Sequence, residues 1–111
     1  MKKTILLSDD EHKVITSLIG LMREIEQNGD IKEQTDTLDE AFSKGIWNDN
    51  HEFLVSFTPE QLEALEGCMI LAEDFNEHDE NTVVENEIDE LDLLHLDHIL
   101  SESGRFFVEE D

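Results

Sequence analysis

Several residue types that would direct this 111-residue chain to a particular chemistry are scarce or missing. Cys68 is the only cysteine, so no internal disulfide can form, which is typical of a reducing compartment. The five glycines form neither GxGxxG nor GxxxxGK[ST], so the usual phosphate-binding loops are excluded. The apolar run 5–7 is too short for a signal peptide, and no run approaches the roughly 18 residues of a membrane span. We therefore expect a cytoplasmic protein.

Basic residues are also scarce, and unevenly so. Thirty Asp and Glu stand against seven Lys and Arg, which gives a net charge of −23. Residues 1–44 hold ten acids and six bases, whereas residues 45–111 hold twenty acids and one base, so they carry −4 and −19. Direct nucleic-acid binding is the least favoured function, because seven bases and no tyrosine cannot form a basic aromatic surface. We expect no enzyme, since such a charge repels common anionic substrates.

The hydrophobic residues, 38% of the chain, are enough for a folded core. We expect one compact domain over residues 1–111. The pattern predicts an α+β fold in the order β-α-α-β-α-α-β, with a sheet of about three strands and helices packed on it. The predicted elements are strands at 3–7, 52–57 and 105–108, long helices at 8–28, 58–75 and 82–103, and a short helix at 37–42 after a polar loop at 30–36.

Two capping boxes mark the starts of long helices. Ser8 is placed to accept from the amide of Glu11, whose side chain reaches back to Ser8. Thr58 and Gln61 have the same spacing, with proline between them at the first helical position. Residues 5–25 therefore align with residues 55–75 as strand, cap and amphipathic helix, which indicates either a duplication or one common solution reached twice.

Metal binding is the main chemical alternative. Asp92, His95 and His98 follow at spacings of three on the last predicted helix, so they lie on one side of it. Two imidazoles and a carboxylate are three of the four ligands of a zinc-like site. A fourth ligand would come from elsewhere in the fold, among His12, His51 and His78. The alternative is that these are ordinary helix residues paired with nearby acids, in which case no cofactor is expected.

Carboxylates crowd the predicted helices of the second half. Glu85, Asp89 and Asp92 follow at spacings of four and three, which predicts a row along the last long helix. Few Lys or Arg interleave with the acids, so these helices lack the i,i+4 ion pairs of an ordinary exposed helix. The acids that we expect to contact a partner are Glu63, Glu66, Glu73, Asp74, Glu77, Asp79, Glu80, Glu85, Asp89, Glu90 and Asp92.

The charge density is close to that of a nucleic acid. A compact domain of this length is about 34 Å across, and duplex DNA carries roughly 20 charges over that distance. The carboxylate surface of residues 45–111 resembles the DNA-mimic inhibitors of phages and mobile elements, which include anti-CRISPR and anti-restriction proteins and uracil-DNA glycosylase inhibitors. The resemblance is one of composition, without a family motif. It implies an inhibitor in the host cytoplasm that occupies the basic surface of a CRISPR effector, nuclease or glycosylase.

Other interpretations stay open beside this one. The chain is either a zinc-like regulator that uses His95 and His98, or an acidic assembly module whose partner has no link to nucleic acids. Phe106 and Phe107, on a last strand at the sheet edge, would allow a homodimer instead of a monomer. The acidity is also compatible with simple solubility, or with an organism whose proteins are adapted to salt.

Overall fold

The computed structural model describes residues 2–25, 31–78, 84–101 and 106–109. Residues 107–109 are described by their backbone alone. The chain has the predicted α+β fold in nearly the predicted order, with the two-residue strand β2 added to the sheet. The elements are β1 (Lys2–Leu7), α1 (Asp9–Ile25), α2 (Lys32–Ser43), β2 (Ile46–Trp47), β3 (Phe53–Phe57), α3 (Pro59–His78), α4 (Glu90–Ser101) and β4 (Phe106–Glu109).

The strands form one antiparallel sheet in the order β2-β3-β1-β4. In β3 the side chains of Phe53, Val55 and Phe57 are buried, and the two residues between them are half-exposed. Ile5 and Leu7 of β1 lie opposite Val55 and Phe53, so their buried side chains share the same face. Because successive side chains of a strand point to opposite faces, the hydrophobic core lies on one side of the sheet.

A single core cluster joins the helices to that face. It includes Ile15 and Leu18 of α1, Leu65 of α3 and Leu96 of α4, all with no exposed surface. Cys68 belongs to the same cluster, and burial raises the pKa of its thiol to about 11. The thiol is therefore neutral at pH 7, which is incompatible with a reactive thiolate.

Both predicted capping boxes form. The amide of Glu11 donates to Ser8 Oγ over 3.2 Å, and the amide of Ser8 donates to Glu11 Oε1 over 2.8 Å. At the start of α3 the amide of Gln61 donates to Thr58 Oγ1 over 3.1 Å, and that of Thr58 donates to Gln61 Oε1 over 2.8 Å. Each box satisfies two backbone groups that would otherwise lack a partner within the helix.

The remaining side-chain atom of each box reaches a second helix. Glu11 Oε2 lies 2.7 Å from His95 Nε2 of α4. Gln61 Nε2 donates to the backbone oxygen of Thr37 in α2 over 3.1 Å. Each box therefore fixes a helix start and also joins that start to a neighbouring helix, which the capping pattern by itself does not predict.

The prediction of one long helix over 82–103 is wrong for the described residues before Glu90. Residues 84–89 are not helical, and α4 begins where the backbone oxygen of Asp89 accepts from the amide of Leu93 over 3.1 Å. Within α4, Leu91 and Leu94 are 77% and 61% exposed, whereas Leu93 and Leu96 are buried. Apolar residues occupy both sides of this segment, so periodicity does not select a face. The predicted helix start at 82 and stop at 104 lie outside the described residues.

The region before β3 also differs from its prediction. The helix α2 is longer than 37–42 and includes part of the expected polar loop, because Thr35 is buried against the core and Arg23 of α1 pairs with Asp36 over 3.6 Å. These are contacts between helices, which a polar sequence does not reveal. Trp47 lies in β2. A turn follows at Asn48, whose side-chain Oδ1 accepts hydrogen bonds from the backbone amides of residues 50 and 52. The predicted helix end at 28–29 is outside the described residues.

Candidate acidic interface

The exposed side of α3 is lined with carboxylates. Since 3.6 residues make one helical turn, residues three or four apart lie side by side. The buried positions of this helix, such as Leu65 and Ala72, lie on the opposite side. The exposed acids of the predicted interface on α3 are Glu63, Glu66, Glu73, Asp74 and Glu77. All five are exposed, and their contact with a partner stays a prediction.

An isoleucine stands in the middle of these acids. Ile70 is 66% exposed, and Glu66 precedes it by four residues. Glu73 and Asp74 follow it by three and four residues, so charged side chains flank it on both sides along the helix. The fold leaves it outside the core, because the buried side of α3 is already occupied by the residues around Leu65 and Cys68.

A second group of acids precedes and begins α4. Glu85, Asp89 and Glu90 are exposed, and Asp92 is half-buried. Glu85 and Asp89 are not on a helix, so the predicted row from 85 to 92 along one helical face is wrong. The two remaining predicted acids, Asp79 and Glu80, lie outside the described residues.

Hydrogen bonds hold this second group against α1 and α3. The amides of Glu85 and Asn86 donate to the two carboxylate oxygens of Glu24, each over 2.9 Å. These backbone hydrogen bonds lower the pKa of Glu24. Asn76 Nδ2 of α3 donates to the backbone oxygen of Ile88 over 2.8 Å. The acids of 85–92 are therefore carried by a segment with fixed attachments to two helices.

In the part of the chain that the structure describes, the ion pairs of Lys and Arg lie toward the N-terminal end. Among the described residues, every ion pair that contains Lys or Arg lies between residues 9 and 44; the partners are Lys13 with Asp9, Lys44 with Glu40, and Arg23 with Asp36 and Asp39. On α3, His78 Nε2 lies 3.4 Å from Asp74 and 4.0 Å from Glu77. The acids of α3 and of 85–92 thus have no Lys or Arg partner within the part of the chain that the structure describes.

A groove of about 260 Å³ runs beside these acids, between α2 and α3. Its lining includes Ile31, which directly precedes α2, and Gln34 of α2, together with Glu60, Glu63, Gly67 and Leu71 of α3. Glu60 and Leu71 were absent from the predicted site. Helical spacing in the sequence could have placed both residues on the exposed side of α3. The groove itself depends on where α2 packs against α3, and no local sequence pattern predicts that contact.

The structure gives the zinc-like site no support. His95 Nε2 faces the carboxylate of Glu11 from α1, a residue that the sequence analysis assigned to a cap. His98 is exposed on the same helix, and Asp92 is half-buried. Over 2–25, 31–78 and 84–101, no three or more His, Cys, Asp or Glu side chains come together as a set of metal ligands. The zinc hypothesis stays an untested prediction.

Comparison with family models, curated proteins and solved structures finds no match for this chain. Within the described ranges, no helix combines the length and the apolar character that crossing a membrane requires.

Proposed function

We propose that this protein is a cytoplasmic inhibitor that occupies the basic nucleic-acid-binding surface of an enzyme such as a nuclease, a glycosylase or a CRISPR effector. The observation that carries the proposal is the surface formed by α3 and residues 85–92, called the acidic surface below. Its exposed carboxylates have no Lys or Arg partner in the described chain. A basic partner would supply the missing cations.

The dimensions support mimicry of a duplex. The molecule measures 43 × 26 × 22 Å and carries a net charge of −23. Duplex DNA carries one charge per 1.7 Å of axis, which is about 25 charges over 43 Å. A groove that concentrates Lys and Arg to bind phosphates would attract this molecule through the same long-range field. Because that field is screened by salt, association is expected to be fast at low ionic strength and weak at high ionic strength.

The first test is a pull-down from cell lysate with the tagged protein, eluted in steps of increasing salt. The proposal predicts recovery of a nucleic-acid enzyme that duplex DNA or guide RNA displaces. Binding that survives about 1 M salt, where the screening length is near 3 Å, would exclude electrostatic mimicry. Recovery of a partner that is indifferent to nucleic acid would favour the acidic assembly module instead.

A pair of charge-reversal variants tests the acidic surface itself. Glu66→Lys with Glu73→Lys changes α3, and Asp10→Lys with Glu33→Lys makes the same change in net charge on α1 and α2. If each contact contributes about 1 kcal/mol, the α3 variant weakens binding of the recovered enzyme by roughly 30-fold. The control variant is expected to lose far less affinity, because it changes only the overall field. Equal losses would show that the overall charge, and not this surface, governs binding.

A further inference from the structure

Gly67 is the feature of α3 that the acidic surface leaves unexplained. It lies in the interior of a 20-residue helix, where glycine is less favourable than any residue except proline. A Cβ atom added at Gly67 would meet no atom of the described residues within 4 Å beyond its own stretch of helix. No packing contact in the described chain therefore requires the absence of a side chain here. By contrast, a Cβ at Gly45 would collide with the ring of Phe53.

The absent side chain keeps the groove between α2 and α3 open. The lining includes the small residues Ala64, Gly67 and Cys68, called the floor below, and Leu71, which is 40% exposed. Glu60 and Glu63 are exposed carboxylates among the lining residues. The groove thus has small and apolar lining residues beside two carboxylates, which are called its rim below. Its volume of about 260 Å³ is at the lower limit for small-molecule sites and is suited to one or two apolar side chains.

We propose that this groove receives an apolar side chain from a basic segment of the partner, with Lys or Arg beside that side chain lying against Glu60 and Glu63. The inference rests on the proposed function, because it takes the partner to be basic. The acidic surface attracts the partner over a distance, and the groove adds a short-range contact that salt does not screen. Specificity for one basic protein among many would come from this contact.

Charge complementarity selects this occupant over the alternatives. A second copy of the chain also carries −23 and would bring its own carboxylates toward Glu60 and Glu63. Nucleotides and other anions are repelled for the same reason. A basic segment is attracted both by Glu60 and Glu63 at the rim and by the negative field of the whole molecule. It needs one apolar side chain to fill the floor around Gly67.

Two synthetic peptides test the groove without the partner. The first is a Lys-rich amphipathic peptide of about 12 residues, long enough for the roughly 16 Å of helix from 60 to 71, with two Leu at i,i+4 spacing. The second has the same charge but Ser in place of both Leu. We expect the Leu peptide to bind at least tenfold more tightly at about 150 mM salt, and to shift the NMR signals of Ile31, Gly67 and Leu71. Equal affinities for the two peptides, or no binding of either, would overturn the proposal.

Variants at Gly67 separate binding from folding. Gly67→Leu fills the groove, and Thr16→Leu puts the same side chain on the exposed side of α1 as a control. We expect Gly67→Leu to melt at or above the temperature of the unchanged protein and to lose the preference for the Leu peptide, whereas Thr16→Leu retains it. Gly67→Ala should have an intermediate effect. A Gly67→Leu protein that is folded and still prefers the Leu peptide would contradict the groove.

The same variants distinguish this inference from the proposed function. If Gly67→Leu recovers the enzyme from lysate as well as the unchanged protein does, while reversal of Glu66 and Glu73 abolishes recovery, the groove is wrong and mimicry stands. If recovery survives both changes and responds neither to salt nor to duplex DNA, the proposed function itself fails. If it survives both changes but is still displaced by duplex DNA, the groove and the α3 contact are both wrong and the overall charge governs binding.

Discussion

Residues 1–44 and residues 45–111 handle charge in opposite ways. In the first region, Lys13, Arg23 and Lys44 each pair with an acid on the same or the neighbouring helix. In the second region, α3 alone displays five exposed acids of the predicted interface, and in the described chain none of them pairs with Lys or Arg. The comparison indicates that the acidity is not a uniform property of the chain. The acids are concentrated in residues 45–111, where the exposed side of α3 carries many of them.

The two regions nevertheless share one core. The strand, capping box and helix of 2–25 have their counterpart in 53–78, and β1 pairs with β3. Ring contacts also join the two regions. His12 of α1 contacts Phe42 in the first region and Phe53 in the second, with ring centroids 5.4 and 4.6 Å apart. Their difference is therefore one of surface and not of packing, and each prediction below tests that statement.

The largest effect is expected in the shared core. Ile15 and Leu65 occupy equivalent positions in α1 and α3, and both are fully buried. Replacing either by Ala should lower the free energy of unfolding by about 2–5 kcal/mol, because each change leaves a cavity in the same cluster. Chemical denaturation followed by circular dichroism and by the fluorescence of Trp47 measures this. Transitions of the two signals that separate in either variant would show that the regions unfold independently.

Smaller losses are expected at the capping boxes. Glu11→Ala and Gln61→Ala each remove a cap and a hydrogen bond to another helix, so each should cost about 2 kcal/mol. Glu11→Gln is the matched control, since it retains an oxygen for the amide of Ser8. His95→Ala removes the connection to α4 but leaves the box intact, and about half of the loss is expected. A His95→Ala variant as unstable as Glu11→Ala would show that the box itself contributes little.

Single charge changes should have opposite signs in the two regions. Glu77→Lys places a cation four residues after Glu73 and near the end of α3, so stability should rise by about 0.5 kcal/mol. Lys44→Glu breaks the pair with Glu40, whose atoms lie 3.4 Å apart, and should lower stability by a similar amount. Thermal melting at low salt measures both. A destabilising Glu77→Lys change, or a Lys44→Glu change without effect, would contradict the difference in ion pairing between the regions.

The smallest expected effect is a pH dependence at the boundary of the regions. Partial burial against Phe42, Trp47 and Phe53 lowers the pKa of His12 below 6.5, although the charge of Asp9 acts in the opposite direction. The folded state therefore favours the neutral imidazole. The stability from His12 is present above about pH 6.5 and is lost as the pH falls from there toward the folded-state pKa.

An NMR titration of His12 measures this pKa directly. Asp9→Asn should lower it further, because the carboxylate stabilises the charged imidazole. His12→Phe should remove the part of the stability loss between pH 7.5 and 5.5 that this residue causes. A pKa at or above 6.5 in the folded protein would contradict the assignment.

Much of the fold could be predicted from local patterns. Residues 53–57 alternate between core-facing and half-exposed side chains, and the helix starts at Ser8 and Thr58 have both residues of a capping box. Each of these patterns is typical of a single structure, a strand or a helix start. The prediction failed where the pattern was ambiguous or absent. Residues 90–101 are apolar on both sides of a helix, and residues 32–36 have no apolar pattern at all.

The candidate site divides in the same way. The exposure of Glu63, Glu66 and Glu73 follows from helical spacing relative to the buried side of α3, so the sequence was sufficient to predict it. The exposure of Ile70 and the groove at Gly67 depend on which neighbouring helices cover α3, and that is a contact between distant segments.

The sequence alone determined the net charge and the concentration of acids after residue 44. It also determined the two capping boxes and the alternation of apolar residues in β3. These properties depend on residue identity and on neighbours within about four positions, which the sequence lists directly. The tertiary structure decided which atoms meet across the chain. Glu11 with His95, Glu24 with the amides of 85 and 86, and the open floor at Gly67 exist only because separate helices pack on one face of one sheet.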